Sequence, residues 1–182
     1  MAEFIVRDVR LHGWKPAGDT LEVNFDTPLQ WVIDNIKNRA SNDLVVKFMC
    51  HGLPGFLIFA NGATPHPTAG NGISLNDLAV FSQLKGKIKR LEFHACLVAR
   101  IGSCFECNGH QGYDGNNFCY RMAQTIGAEV KASIHLQYYQ KGHLTDGTPI
   151  SGGINFKGWN GRVFTWNADG SIQKMEDFPY KD

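Results

Sequence analysis

Two short strand-like segments constrain this chain most, because each ends at a side chain that can do chemistry. Leu44 to Cys50 is apolar apart from Lys47 and leads into His51, and Ile88 to Ala95 leads into Cys96. Runs of this length predict strands, and the first is apolar enough to be covered on both faces. The connection between them can hold a helix and is long enough for a right-handed crossover, so the two strands are predicted to be parallel.

Helical patterns accompany these strands. A first helix is predicted after Asp26 or Thr27, either of which can cap it, with Pro28 in its first turn. Its apolar stripe consists of Leu29, Val32, Ile33 and Ile36. A second helix is predicted to begin with a capping-box-like segment, residues 74–77, and to end near Leu84.

A third helix follows a polar, glycine-rich stretch from Leu97 to Asn117 and is predicted to end at Gly127. Its apolar side consists of Phe118, Cys119, Met122, Ala123 and Ile126. A strand from Glu129 to Ile134 comes next. The order β-α-β-α-β is typical of an α/β fold with three layers, a mostly parallel central sheet and helices on both faces. Ligand sites in such sheets lie beyond the carboxyl ends of the strands, where His51 and Cys96 fall.

The ends of the chain add further β-structure. Phe4 to Leu11 alternates as a strand does, and residues 161–166 and 171–175 flank a turn as a C-terminal β-hairpin would. Gly55 to Ala60 is predicted to form one arm of a short hairpin, and residues 61–72 a loop.

Length and charge limit the classes of function. The 182 residues suit a single domain spanning 1–182, and 18 basic against 17 acidic residues give a net charge of +1. No nucleic-acid or membrane partner is therefore expected, and no stretch approaches the roughly 20 apolar residues of a membrane span. The charged N-terminus and five irregularly spaced cysteines predict a cytoplasmic protein where it is made, with signal-peptide-independent export as an effector left open. No oligomeric state follows from the sequence.

The strand-terminal motifs resemble those of the caspase-like cysteine peptidases of clan CD. The matching residues are His51-Gly52, Ala95-Cys96 and, after a helix, Gly127-Ala128-Glu129-Val130. Residues 44–133 are also similar to the caspase-like domain of some large bacterial surface proteins. The resemblance implies a caspase-hemoglobinase fold and a His-Cys dyad that cleaves peptide bonds of a protein or peptide substrate.

The chain departs from caspases proper in two places. Caspases carry Gln-Ala-Cys before a small or polar residue and Gly, whereas this chain has His94-Ala95-Cys96-Leu97-Val98. Aspartate specificity is therefore not expected. The stretch from Leu97 to Asn117 is also longer than in the bacterial surface domains, and the resemblance makes it a candidate for cleavage or rearrangement on activation.

The dyad predicts a mechanism. Cys96 would attack a carbonyl carbon, His51 would manage the proton, and water would hydrolyse the thioester intermediate. The backbone N–H groups of Gly52 and Cys96 are the candidate oxyanion donors, because a glycine after the histidine lets the main chain approach the substrate.

His94 is a candidate modulator, because in an extended strand its side chain points to the same face as that of Cys96. It could tune the thiolate or replace His51 as the base, but pairing with a backbone carbonyl is the favoured interpretation. Aromatic surface could come from Tyr138, Tyr139, Trp159 and Trp166, and a charge for a basic substrate residue from Glu92, Asp114 or Asp146. None of these is assigned to a pocket.

No cofactor is expected. Cys104, Cys107, His110 and Cys119 are less favoured candidates for a structural zinc ion, since their spacing matches no common zinc motif and Cys119 lies on an apolar helical stripe. Two functions remain open at this point: a cysteine endopeptidase, and an inactive caspase-like fold that acts as a protein-binding module. A zinc-stabilised interaction module is a third and weaker alternative.

Overall fold

A seven-stranded mixed sheet organises the chain. The computed structural model describes residues 1–11, 18–62, 64–66, 70–102, 114–137 and 159–179. In chain order the described strands are β1 (Glu3–Asp8), β2 (Thr20–Val23), β3 (Val45–Met49), β4 (His51–Leu53), β5 (Phe56–Ile58), β6 (Thr64–His66), β7 (Gly70–Gly72), β8 (Arg90–His94), β9 (Glu129–Ser133), β10 (Arg162–Trp166) and β11 (Ile172–Asp177).

The order of strands across the large sheet is β11-β10-β9-β8-β3-β1-β2. Strands β2, β1, β3, β8 and β9 are mutually parallel, whereas β10 runs antiparallel to β9 and β11 antiparallel to β10. The predicted α/β class, the parallel pairing of β3 with β8 and the C-terminal hairpin are thereby confirmed. Two small hairpins, β4-β5 and β6-β7, stand apart from this sheet.

In the described ranges, three α-helices pack against one face of the sheet. They are α1 (Leu29–Lys37), α2 (Leu78–Phe81) and α3 (Gly115–Ile126), and short 3-10 turns flank α2 on both sides. Helices α1 and α3 both contact α2, and the buried residues of all three share one apolar cluster with the sheet. Helices on both faces were predicted, but within the described ranges helices cover one face only.

The period of two along each strand explains this core. Phe48 and Phe93, near the middle of the sheet, are fully buried on the helical face, and their ring centroids lie 6.1 Å apart. Intervening residues such as Lys47 and Glu92 point to the opposite face. Charged side chains lie on that face near the middle of the sheet, where Lys47 and Glu92 are register partners on adjacent strands.

Predictions from local side-chain patterns were confirmed at three places in the helices. All four residues of the predicted α1 stripe are buried, the Ser74–Asp77 capping box forms in both directions, and Gly127 ends α3 with φ of 58°. The cap predicted for α1 is wrong: Pro28 occupies the N-cap position and no side chain caps the helix. The loop predicted over 61–72 is also wrong, since it contains β6 and β7, which pair in antiparallel fashion.

No helix in the described ranges combines the length and the apolar character that a membrane crossing requires.

Candidate active site at the carboxyl edge of the sheet

The register of the sheet brings His51 and Cys96 to the same edge. The paired residues of β3 and β8 end with Met49 opposite His94. His51 and Cys96 each lie two residues further along, just beyond the carboxyl ends of these adjacent parallel strands. The structure therefore places the two residues that the sequence singled out at one edge of the sheet.

Gly52 shows how closely the two segments approach. A Cβ atom built on Gly52 would stand 2.7 Å from the carbonyl oxygen of Cys96, and 2.9 Å from both Ala95 Cβ and Val98 Cγ2. Contacts this short do not occur for real Cβ atoms, so only glycine fits at this position. The main chain that follows His51 thus packs directly on Cys96.

A short hairpin carries the histidine. His51 is exposed, begins β4, and is the register partner of Ile58 on β5. The carbonyl oxygen of Ile58 accepts a hydrogen bond of 2.9 Å from Arg10 Nη2. Arg10 is in turn held by both carboxylate oxygens of Asp8, which is fully buried at the end of β1. The sequence did not single out Asp8 and Arg10, which fasten the histidine hairpin to the large sheet.

The thiol of Cys96 faces the main chain of Gln137. The Gln137 N–H donates to Cys96 Sγ at 3.4 Å, and the Sγ–H group can donate to the Gln137 carbonyl oxygen at 3.7 Å. Cys96 is partly exposed. A thiol next to a backbone donor can be deprotonated more readily than a buried one.

A tight turn follows Cys96. Leu97 has a φ of 60°, which is rare for a bulky side chain and places the residue in the left-handed region. Its N–H donates to the carbonyl oxygen of His135 at 3.1 Å. That donor is therefore already used within the fold.

The other cysteines of the described ranges differ from Cys96. Cys50 and Cys119 are buried. Burial, reinforced by the negative charge of Asp8, raises the thiol pKa of Cys50 well above its usual value. Burial and the charge of Asp114 do the same to the pKa of Cys119. Both behave as small core residues, as the sequence predicted.

His94 is held by two neighbours. Its Nε2 pairs with the Glu92 carboxylate at 2.9 Å, and its ring stacks on Trp159 with centroids 4.3 Å apart. Burial acts to raise the carboxyl pKa of Glu92, but the His94 hydrogen bond and the charges of His94, Arg90 and Lys47 outweigh it and lower the pKa to about 2. Glu92 therefore serves His94 and Arg90 rather than a substrate. Because both neighbours hold the His94 ring in place, His94 is poorly suited to act as a mobile base.

Several of the other candidate substrate-binding residues have structural roles. Trp159 and Trp166 are buried, and the Asp114 carboxylate accepts the Asn117 N–H as the cap of α3. Tyr138, Tyr139 and Asp146 lie outside the described residues, as do Cys104, Cys107 and His110. No cluster of three or more metal-ligating side chains occurs in the described part of the chain.

Comparisons with protein-family models, with curated proteins and with solved structures give no match.

Proposed function

We propose that this protein is a cysteine endopeptidase with a caspase-hemoglobinase-like fold, in which His51 and Cys96 form the catalytic dyad. The observation that carries the proposal is the packing of Gly52 on Cys96. It ties the residue after the histidine to the cysteine itself, in the register set by β3 and β8. A chance pairing of a histidine and a cysteine on separate loops would not need such a contact.

In the proposed mechanism His51 is the base and Cys96 is the nucleophile. His51 takes the thiol proton of Cys96, and the sulfur adds to the carbonyl carbon of the scissile peptide bond. The same proton then passes to the leaving amine as the carbon–nitrogen bond breaks, which leaves a thioester on Cys96. Water, deprotonated by His51, hydrolyses the thioester and regenerates the thiol.

The oxyanion of each tetrahedral intermediate needs nearby donors. Leu57 on β5 is the register partner of Gly52. The backbone hydrogen bonds of Leu57, both 2.9 Å long, are made with Ile73 on its other side. Antiparallel pairs alternate between hydrogen-bonded and non-bonded types, so this arrangement turns the Gly52 N–H away from β5. We assign Gly52 and Cys96 N–H to the oxyanion, each able to contribute about 3 to 4 kcal/mol of transition-state stabilisation.

The pH dependence of thiol alkylation tests the dyad. Iodoacetamide modification of each cysteine, followed by peptide mass spectrometry between pH 5 and 9 in roughly half-unit steps, is compared for wild type and His51→Ala. We expect Cys96 to react much faster than Cys50 and Cys119 below pH 7, and to lose that advantage in His51→Ala. The two buried thiols serve as internal standards because their raised pKa values keep them protonated.

A Cys96 that is inert, or whose reactivity ignores His51, would exclude the peptidase and leave the protein-binding module. If the dyad responds as expected, cleavage of a peptide library by wild type but not by Cys96→Ala identifies the substrate class. Cys96→Ala is the matched control, since it removes only the sulfur from a residue that is partly exposed.

A further inference from the structure

A buried pair of amide side chains lies next to the Cys96 thiol. Gln137 Nε2 donates to the carbonyl oxygen of Asn160 at 2.9 Å, and the Asn160 N–H donates back to Gln137 Oε1 at 3.0 Å. Asn160 Nδ2 also donates to the carbonyl oxygen of Leu136 at 3.0 Å. The peptide group whose N–H faces Cys96 is thus held at its own carbonyl oxygen, that of Leu136, by Asn160, while the Gln137 side chain is bonded to the Asn160 main chain.

Burial makes these hydrogen bonds costly to break. Gln137 is 9% exposed and Asn160 is 4% exposed, so a broken hydrogen bond would leave a polar group without water. Ser133 Oγ adds a bond to the carbonyl oxygen of Asn160, at 3.2 Å. Both segments are consequently tied to the end of β9.

The same junction reaches the strand that carries the cysteine. Trp159, the neighbour of Asn160, stacks on His94, which lies two residues before Cys96 on β8. The Cys96 thiol and the Gln137 N–H are thus both attached to the same packed part of the structure. The N–H···S distance is set by packing and by hydrogen bonds, rather than by the flexibility of a loop.

We propose that the Gln137 N–H is the group that stabilises the Cys96 thiolate, and that the Gln137 and Asn160 side chains are positioning residues for it. This inference rests on the proposed cysteine peptidase function.

The two protonation states of the thiol use different main-chain groups of Gln137. The thiol can donate to the carbonyl oxygen at 3.7 Å, and the thiolate accepts the N–H at 3.4 Å. The N–H contact is the shorter of the two, and a hydrogen bond to the charged form is stronger than one to the neutral form. The Gln137 N–H consequently favours deprotonation of Cys96, in addition to any effect of His51.

Gln137→Leu tests the role of the side chain. The substitution keeps a similar volume but removes the side-chain bonds to Asn160, His135 and Leu136, while the Gln137 main-chain N–H remains. We expect the midpoint of the Cys96 alkylation profile to rise by about one pH unit, which lowers the rate at pH 6.5 relative to the rate at pH 9 by about threefold to tenfold. Gln173→Leu, on an exposed position of β11, is the matched control and should leave the profile unchanged.

Asn160→Ala provides a second variant. It removes the bond to Leu136 and keeps the Asn160 N–H, so we expect a shift in the same direction but smaller. Cys50 and Cys119 report on folding in the same spectra, since they become reactive only if the core opens. If Cys50 and Cys119 react in Gln137→Leu, the core of that variant has opened, and the Asn160→Ala profile alone tests the inference.

The outcomes separate this inference from the proposed function. If Cys96 reactivity depends on His51 but both variants show the wild-type pH profile of alkylation, the inference is wrong and the proposed peptidase function stands. A wild-type Cys96 that ignores His51 but responds to Gln137→Leu would overturn the dyad, and would keep the amide as the group that tunes the thiol.

Discussion

Gly52 and Cys96 are in main-chain contact, with only 2.7 Å between the position of a Cβ atom on Gly52 and the carbonyl oxygen of Cys96. The contact sets the distance between the hairpin that carries His51 and the strand end that carries the cysteine. Any side chain at position 52 must push the two segments apart, because backbone atoms and packed side chains surround it. The contact therefore couples stability to the geometry of the dyad.

Gly52→Ala should lower the free energy of unfolding by about 1 to 3 kcal/mol, the usual cost of overpacking. It should also remove the dependence of Cys96 alkylation on His51, since the hairpin is displaced. Chemical denaturation and the alkylation profile measure the two effects. Gly86→Ala is the control: its φ of 70° strains an alanine, but nothing lies within 4 Å of the added Cβ. A normal Cys96 profile in Gly52→Ala would contradict this account.

Arg10→Met should destabilise the protein and loosen the His51 hairpin. The substitution removes the hydrogen bond to Ile58 and leaves the fully buried Asp8 carboxylate without its guanidinium. Breaking a buried pair costs about 3 to 5 kcal/mol, and because 30% of the Arg10 side chain is exposed we expect about 2 to 3 kcal/mol. Denaturant unfolding measures the loss.

The double variant Asp8→Asn/Arg10→Met is the control for the charge, since it removes the uncompensated carboxylate. We expect it to be less destabilised than the sum of Asp8→Asn and Arg10→Met. Strict additivity would mean that Arg10 acts through packing on Phe25, whose ring centroid lies 5.7 Å from Arg10 Cζ, rather than through Asp8.

The sequence predicted the parts of the site that depend on local patterns. The apolar run before His51 and the segment before Cys96 predicted β3 and β8, and the apolar stripes predicted the buried faces of α1 and α3. Because parallel strands end at one edge, these elements were enough to predict His51 and Cys96 at the same edge of the sheet. The β4-β5 hairpin was missed in part, since arms of three residues are too short to show a period.

Long-range hydrogen bonds left no signal in the sequence. Gln137 and Asn160 are 23 residues apart and look like ordinary polar residues until the fold buries both of them. Glu92 was considered for substrate binding because its partners could not be read from the chain, and the fold assigns it to His94 and Arg90. Residues whose role depends on what the fold buries against them have to be found in the structure.

Cys119→Ala should leave the zinc content of the purified protein unchanged. The Cys119 side chain is buried among the apolar residues of α3, and burial raises its thiol pKa well above the usual value, which disfavours the thiolate that zinc binds. Metal analysis before and after treatment with a chelator measures the content in wild type and variant. Zinc that is present in wild type and lost in Cys119→Ala would show that the cysteine is a ligand.

Glu92 should make the protein sensitive to acid in a defined pH range. Its carboxyl pKa is lowered from 4.5 to about 2, so its contribution to stability is complete above pH 4.5 and is lost as the pH falls from 4.5 towards 2. A difference of this size corresponds to about 3 kcal/mol for a buried carboxylate. In urea unfolding at stepwise lower pH, the advantage of wild type over Glu92→Gln should therefore shrink by about that amount. The exposed Asp43, whose pKa is lowered first by a hydrogen bond from Ser41, is the control. Asp43→Asn should change the acid response less, because solvent screens an exposed carboxylate, and an equal change in both variants would mean that the Glu92–His94 pair has no special stability.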